Sequence, residues 1–306
     1  MAPSLPRQAR PSFRRGATQF AYDAGMDAST HLPPAADPLR RWLSRHRSVF
    51  VLTGAGCSTA SGIPDYRDAD GQWKRTPPVT YQAFVGDAQV NARYWARSFI
   101  GWPRVAEAQP NAAHLALAQW QATGAVSALV TQNVDGLHQR AGSETVIDLH
   151  GRLDHVVCLS CQALQSRADV QRSLAERNPG WTELDAAAAP DGDADLEGHD
   201  FSAFHVPACP KCDGLLKPDV VFFGENVPRQ RYLQAQAALQ ASDAVLVVGS
   251  SLMVYSGYRF VRNAHEAGVP IAIVNRGRTR ADDLASLKID AEAGAALSVA
   301  LAAGFS

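Results

Sequence analysis

The sequence predicts an α/β chain: a doubly wound parallel sheet in the larger domain, with a second, smaller metal-binding domain set into it. Three observations predict it. Short uncharged runs, Val49–Leu52, Ala125–Val130, Ala244–Val248 and Pro270–Val274, read as strands buried on both faces. Helical patterns fall between them, among them Pro38–His46, Asn111–Gln121, Arg229–Gln240 and Tyr258–Ala267. Two C-x-x-C pairs interrupt the alternation at Cys158/Cys161 and Cys209/Cys212.

Size and composition bound the rest. A chain of 306 residues, 46% hydrophobic and 19% charged, has room for a large core and two domains. A net charge of −1 sets up no field that would draw it to nucleic acid or anionic lipid. No apolar run reaches the roughly eighteen residues that span a bilayer. Five cysteines, four of them in pairs, suit a reducing compartment and a metal better than disulfides.

Residues 1–36 read as a disordered tail, with Arg7, Arg10, Arg14 and Arg15 ahead of the first acidic residue, Asp23. Prolines speak against an amphipathic transit peptide, and Met26 is an alternative start. Residues 37–151 and 214–306 form the large domain, 152–213 the small one. Residues 71–110 carry irregularly spaced aromatics, Trp73, Tyr81, Phe84, Tyr94, Trp95, Phe99 and Trp102, read as the core of a helical lobe at about 70–110.

The chain is organised around Val49–Asp68. The strand Val49–Leu52 runs into Gly54 and Gly56, which permit a tight turn and close approach of an anion to the backbone. Ser58 and Thr59 are placed to cap a helix. Strand, glycine turn and helix start are the Rossmann-like cradle of a dinucleotide pyrophosphate. The third glycine of G-x-G-x-x-G is missing, and Gly62-Ile63-Pro64 cuts the helix short. Asp65, Tyr66, Arg67 and Asp68 follow in a loop, for which an ordinary dehydrogenase has no need. The strand Ala125–Val130 ends in Thr131-Gln132-Asn133-Val134-Asp135, polar residues where open sheets bind ligands; they could equally cap the next helix, and the two roles are compatible. Thr145–Leu149, a short strand, ends in His150-Gly151.

The four paired cysteines can close a tetrahedron of thiolates with no open position, so the metal is a structural zinc. Redox dithiols are the competing reading, but such a motif normally stands alone at a helix start. Cys57, inside the glycine turn, reads as a small packed residue, and His138, one turn into a helix, as structural.

Taken together, GAGCSTASGIPDYRD, TQNVDGLH, His150-Gly151, the cysteine pairs, KPDVVFFGE, GSSL and NRG resemble the sirtuin family of NAD-dependent protein deacylases over about residues 38–295. RYWARSFIGWP, APDGDAD, VGSSLMVYSGYRF and TRADDLASLKI look closer to its class II branch. The resemblance implies that Gly54, Ala55, Gly56 and Ser58 line the pyrophosphate of NAD. It implies that Asp65, Tyr66 and Arg67 belong to a loop closing over it, and that Gln132, Asn133 and Asp135 bind the nicotinamide end. Gly249, Ser250, Ser251, Asn275, Arg276, Gly277 and Ala293 would hold the adenosine half. Val221, Phe222, Phe223, Gly224 and Glu225 would wall an acyl-lysine channel, with the substrate peptide adding as a strand between the Gly224 loop and the loop after Ser251.

His150 is the implied general base; an unperturbed pKa near 6.5 suits proton abstraction at neutral pH. The implied reaction transfers the acyl group of a protein lysine to ADP-ribose, releasing nicotinamide and 2′-O-acyl-ADP-ribose. Acylated-lysine proteins are the expected partners, with no nucleic acid and no membrane. The expected location is the cytoplasm of a bacterium or the mitochondrial matrix of a eukaryote. Mono-ADP-ribosyl transfer to protein keeps the same cofactor and is the alternative. A nicotinamide-dependent oxidoreductase fits less well without the third glycine, and a zinc-ribbon interaction module fits less well at this charge. Arg75, near Trp73, either grips an acidic acyl group or is a solvated loop arginine.

Overall fold

The computed structural model describes residues 36–66, 68, 70, 72, 74, 78–182, 196 and 200–301. The tail at 1–35, the APDGDAD segment, Arg67, Trp73 and Arg75 lie outside the described residues. In chain order the elements are α1 (Ala36–Leu43), β1 (Val49–Thr53), α2 (Tyr81–Gly86), α3 (Ala88–Glu107), α4 (Ala112–Ala122) and β2 (Val126–Thr131). There follow α5 (Leu137–Arg140), β3 (Val146–Asp148), β4 (Gly151–Cys158), β5 (Leu164–Ser166), α6 (Arg167–Arg177) and β6 (Leu216–Val220). The chain continues through α7 (Arg229–Gln240), β7 (Ala244–Val248), α8 (Tyr255–Glu266), β8 (Ile271–Val274), β9 (Leu287–Ile289) and α9 (Ala293–Leu301).

Six strands make one parallel sheet in the order β3-β2-β1-β7-β8-β9. The chain winds outward from β1 in one direction through β2 and β3. It then returns to β7 and winds the other way. The switch between β1 and β7 leaves their following loops diverging from the carboxyl ends of adjacent strands, where open sheets form a crevice. Thr53 pairs with both Thr131 and Val248, so three loops leave the sheet at one level.

Uncharged strands are what a sheet covered on both faces requires. Val49 and Val51 face a core shared with Leu39, Leu117 and Leu297 of α1, α4 and α9. Phe50 and Leu52 face the opposite core, with Leu239, Phe260 and Val261 of α7 and α8. The same alternation divides Leu246 from Val245 and Val247 in β7.

The small sheet is antiparallel, in the order β5-β4-β6. β6 was not among the expected strands: it starts at Leu216 and includes Lys217, Pro218 and Asp219. Lys217 is buried there because its ammonium donates to the Val220 carbonyl and to Glu225 Oε2, at 2.5 and 3.1 Å. A third core, in which Phe84, Tyr94 and Phe222 meet at centroid distances of 5.0–5.2 Å, joins this sheet to α2, α3 and α6.

α3 contains Pro103, which cannot donate to the Phe99 carbonyl one turn back. Gln171 Nε2 of α6 donates to that carbonyl instead, at 2.8 Å. The defect in one helix thereby becomes a docking point for the other.

Gly249 follows β7 with φ +59°, and its carbonyl accepts from Gly56 N at 2.8 Å. A Cβ at Gly249 would lie 2.2 Å from Cys57 N. Backbone strain and a collision with backbone act together, so Gly249→Ala is expected to cost about 3 kcal/mol or more. Thermal denaturation of the variant checks this; a wild-type midpoint would refute it.

Candidate active site

The cleft opens at the carboxyl ends of β1, β2 and β7. The glycine turn lining it is not the expected helix start. Two 3₁₀ turns, Ala55–Cys57 and Thr59–Ser61, follow β1, and Ser58 makes no side-chain cap. The reason is a stronger partner: Ser58 Oγ donates to Asp135 Oδ2 at 2.7 Å. Asn133 Nδ2 donates to Ser58 Oγ at 2.9 Å and to the Gly54 carbonyl at 3.0 Å. Asp135 Oδ1 also accepts from Leu137 N, the first N–H of α5, at 2.9 Å while lining the cleft. The loops after β1 and β2 are thus one cross-linked polar surface.

Gln132 exchanges hydrogen bonds with Ser250 Oγ, at 3.1 and 3.4 Å. Its backbone carbonyl is 3.0 Å from His150 Nδ1. A carbonyl only accepts, so Nδ1 carries the proton and Nε2 is the basic nitrogen. Ser256 Oγ lies 2.7 Å from that Nε2 and donates to it. The His150 pKa is lowered to about 4, first by burial and then by Arg259 and Arg231. The imidazole is therefore neutral at pH 7. The His150 carbonyl accepts from Val221 N at 2.8 Å, which ties the histidine to the opposite wall.

That wall is Val221–Glu225, all of it lining the cleft. Glu225 Oε2 accepts from Phe222 N at 2.9 Å, and Gly224, at φ +78°, presents its carbonyl to Gln82 Nε2 at 3.0 Å. Asp65 and Tyr66 lie across from it, with the Tyr66 and Phe223 rings 6.5 Å apart. Gly249, Ser250, Ser251, Asn275 and Arg276 line the far end. Two residues expected there do not. Ala293 is buried in the sheet core, because the start of α9 packs on α4, where a Cβ at Gly294 would touch Ala112 Cβ at 3.2 Å. The Gly277 N–H donates to Asp290 at 3.1 Å, and Arg276 and Arg278 on either side of it line the cleft. Ser256 and Arg259, beside His150, carried no expected role; α8 begins at Tyr255, three residues before its expected start.

The four paired cysteines converge. Cys158 and Cys212 Sγ are 3.5 Å apart and Cys161 and Cys209 Sγ 3.8 Å, with all four within 4.8 Å of one another. A tetrahedral zinc with bonds of about 2.3 Å needs sulfur–sulfur edges of about 3.8 Å. The two turns are built alike. Cys158 N donates to Ala163 O and Cys209 N to Gly214 O; Gln162 N donates to Cys158 O and Asp213 N to Cys209 O. Gln162 and Asp213 both adopt positive φ, at 58° and 55°. The thiolate set fits zinc with no position left for substrate.

A second group, Cys57, His114 and His138, is fully buried. The Asn111 N–H donates to His114 Nδ1 at 3.3 Å, so the proton sits on Nε2, which faces Ser58 Oγ at 3.4 Å and Cys57 Sγ at 4.0 Å. That tautomer offers an ion no lone pair at Nε2. His138 Nε2 bonds Thr53 Oγ1 at 2.9 Å, in keeping with a structural role.

The Sir2 family model matches residues 54–256. A protein of Xanthomonas campestris pv. campestris (strain 8004) named NAD-dependent protein deacetylase is 61% identical over 270 residues, covering 88% of this chain and 91% of its own. One of the same name from Bordetella bronchiseptica is 62% identical over 251 residues, covering 82% and 92%. A solved Sir2–p53 peptide–NAD⁺ complex superposes with a TM-score of 0.66 at 33% identity, covering 83% of this chain and 92% of that one. The chain belongs to the Sir2 family.

Proposed function

We propose that this cleft removes the acyl group from a protein lysine at the expense of NAD, with His150 as general base. The chain is an NAD-dependent protein deacetylase, the activity for which its relatives are named. The observation that carries the assignment of the base is the His150 imidazole: neutral, fixed in tautomer by the Gln132 carbonyl, and part of the cleft lining.

The residues fit the co-substrate. A Cβ at Gly54 would meet Ser250 Cβ at 2.7 Å and one at Gly56 would meet the Gly249 carbonyl at 3.0 Å, so glycine lets the turn after β1 pack on the loop after β7, and both line the one cleft in which the pyrophosphate would lie. Gly54, Ala55, Gly56 and Ser58 would hold it. Gln132, Asn133 and Asp135 would take the nicotinamide end, and Gly249, Ser250, Ser251, Asn275 and Arg276 the adenosine half. Asp65 and Tyr66 would cover it, with Arg67 next in the chain. Bound there, NAD supplies the ribose carbon that takes up the acyl oxygen and the hydroxyl that carries the acyl group away. His150 Nε2 removes the proton of that hydroxyl. Val221–Glu225 orient the acyl-lysine and exclude water. The zinc holds the small sheet and takes no part in the chemistry.

Acylated-lysine proteins are the substrates in this reading, with neither nucleic acid nor membrane involved; no helix among the described residues is long and apolar enough to cross a membrane. The bacterial relatives and cysteines gathered for a metal rather than for disulfides favour a cytoplasmic enzyme. Mass spectrometry of the protein with NAD and peptides bearing acetyl, succinyl, lipoyl or long-chain acyl lysine tests it. Nicotinamide and 2′-O-acyl-ADP-ribose should appear in equal amounts with at least one peptide. ADP-ribose on protein without loss of an acyl group would establish transferase chemistry instead.

A further inference from the structure

Ser256 lies at the second position of α8 and lines the cleft. It reaches His150 because the next residue, Gly257, has no side chain: a Cβ there would fall 2.5 Å from Gln132 Oε1. The helix start therefore sits directly against the residue whose carbonyl fixes His150 Nδ1. Two bonds then hold the imidazole, Nδ1–H to the Gln132 carbonyl at 3.0 Å and Ser256 O–H to Nε2 at 2.7 Å. The first alone lets the ring swing about its donor. The second fixes the ring's rotation, with Nε2 against Ser256, itself a lining residue of the cleft.

We propose that Ser256 is the positioning residue of the general base: its hydroxyl fixes the rotation of the His150 ring by holding Nε2, the nitrogen that the Gln132 carbonyl leaves unprotonated. This rests on the assignment of His150 as base. A hydroxyl suits the task because it can donate to the neutral ring and, by rotating away, yield the Nε2 lone pair to the incoming substrate hydroxyl. The charged groups near the ring are Arg259 of α8 and Arg231 of α7, the latter paired with Asp219 of β6 at 2.9 Å. Both lie near the ring whether or not Ser256 is present, so they do not substitute for its hydroxyl.

The test uses the full chain, NAD and an acetyl-lysine peptide. Ser256→Ala should lower kcat about tenfold, a fraction of what loss of a general base costs, with KM for NAD within about twofold. Its acidic pH limb should move upward, because a hydrogen bond to the neutral imidazole is lost. Ser256→Thr, which keeps the hydroxyl, should restore both. Nitrogen-15 spectra of histidine-labelled protein, with His150→Gln to assign the signal, should show the Nδ1–H tautomer in both proteins, with the Nε2 resonance of Ser256→Ala moved toward that of an unbonded imine nitrogen. Wild-type kcat, acidic limb and Nε2 resonance in Ser256→Ala would overturn the proposal. If the peptide is not deacylated by the wild type, the assignment of the reaction fails instead, and the spectra still decide whether Ser256 holds Nε2.

Discussion

His150→Ala should lower kcat for deacetylation by about 10²–10⁴-fold, the span of a lost general base, or about 3–5 kcal/mol at 1.36 kcal/mol per tenfold. NAD binding, measured by calorimetry, should persist, because the imidazole spends both nitrogens on Gln132 and Ser256 and none on the glycine turn. The wild-type pH profile carries the sharper expectation. Burial disfavours the imidazolium, so the pKa falls to about 4 and the base stays competent well below its ordinary 6.5. kcat should be flat from pH 8 to pH 6 and fall only as the pH approaches 4; a limb centred on 6.5 would refute the buried, neutral base. Stability limits how far the acid side can be followed. His150, His114 and His138 have folded pKa values of about 4, 4 and 3, all below the unfolded value. The unfolded chain binds more protons in that window. Their contribution is full above pH 6.5 and is lost as the pH falls through it.

The strands of the large sheet were legible because burial on both faces leaves no place for a charge. β6 was not, because Lys217, Pro218 and Asp219 break the apolar pattern, and the partners that make Lys217 tolerable, Val220 O and Glu225, show only in three dimensions. α3 was blurred by Pro103, whose orphaned carbonyl partner is served from another helix. In the cleft, His150 and the four cysteines stood out through motif and spacing. Ser58 was misread as a helix cap because Asp135, 77 positions away, competes for its hydroxyl. Ser256 was missed because side-chain periodicity locates the middle of α8 better than its start, and the start is what meets His150. Ala293 and Gly277 show the converse: a motif fixes the order of residues along a cleft but not which of them face it.

Cys209→Ala should release the metal and abolish activity, although Cys209 belongs to the cluster and not to the lining of the cleft. Structural zinc in small modules contributes on the order of 10 kcal/mol, comparable with the whole stability of an ordinary domain. Three thiolates cannot replace a closed tetrahedron, so the small sheet should melt. The damage would reach the cleft along the chain. Gly214 accepts from the Cys209 N–H, β6 starts at Leu216, and the cleft wall begins at Val221. Val220 pairs with Gly151, next to His150, and Val221 N holds the His150 carbonyl. The large sheet has its own two cores and should survive. The expected variant has lost one zinc per chain by elemental analysis, keeps most of its helical circular dichroism, and is cut by protease within residues 152–220. A variant that loses zinc yet deacetylates at the wild-type rate would show that the cleft wall is held by its own packing. In that case Phe222 against Phe84 and Tyr94, at 5.0 Å each, would be the contact that holds it, and the metal would serve only the outer turns.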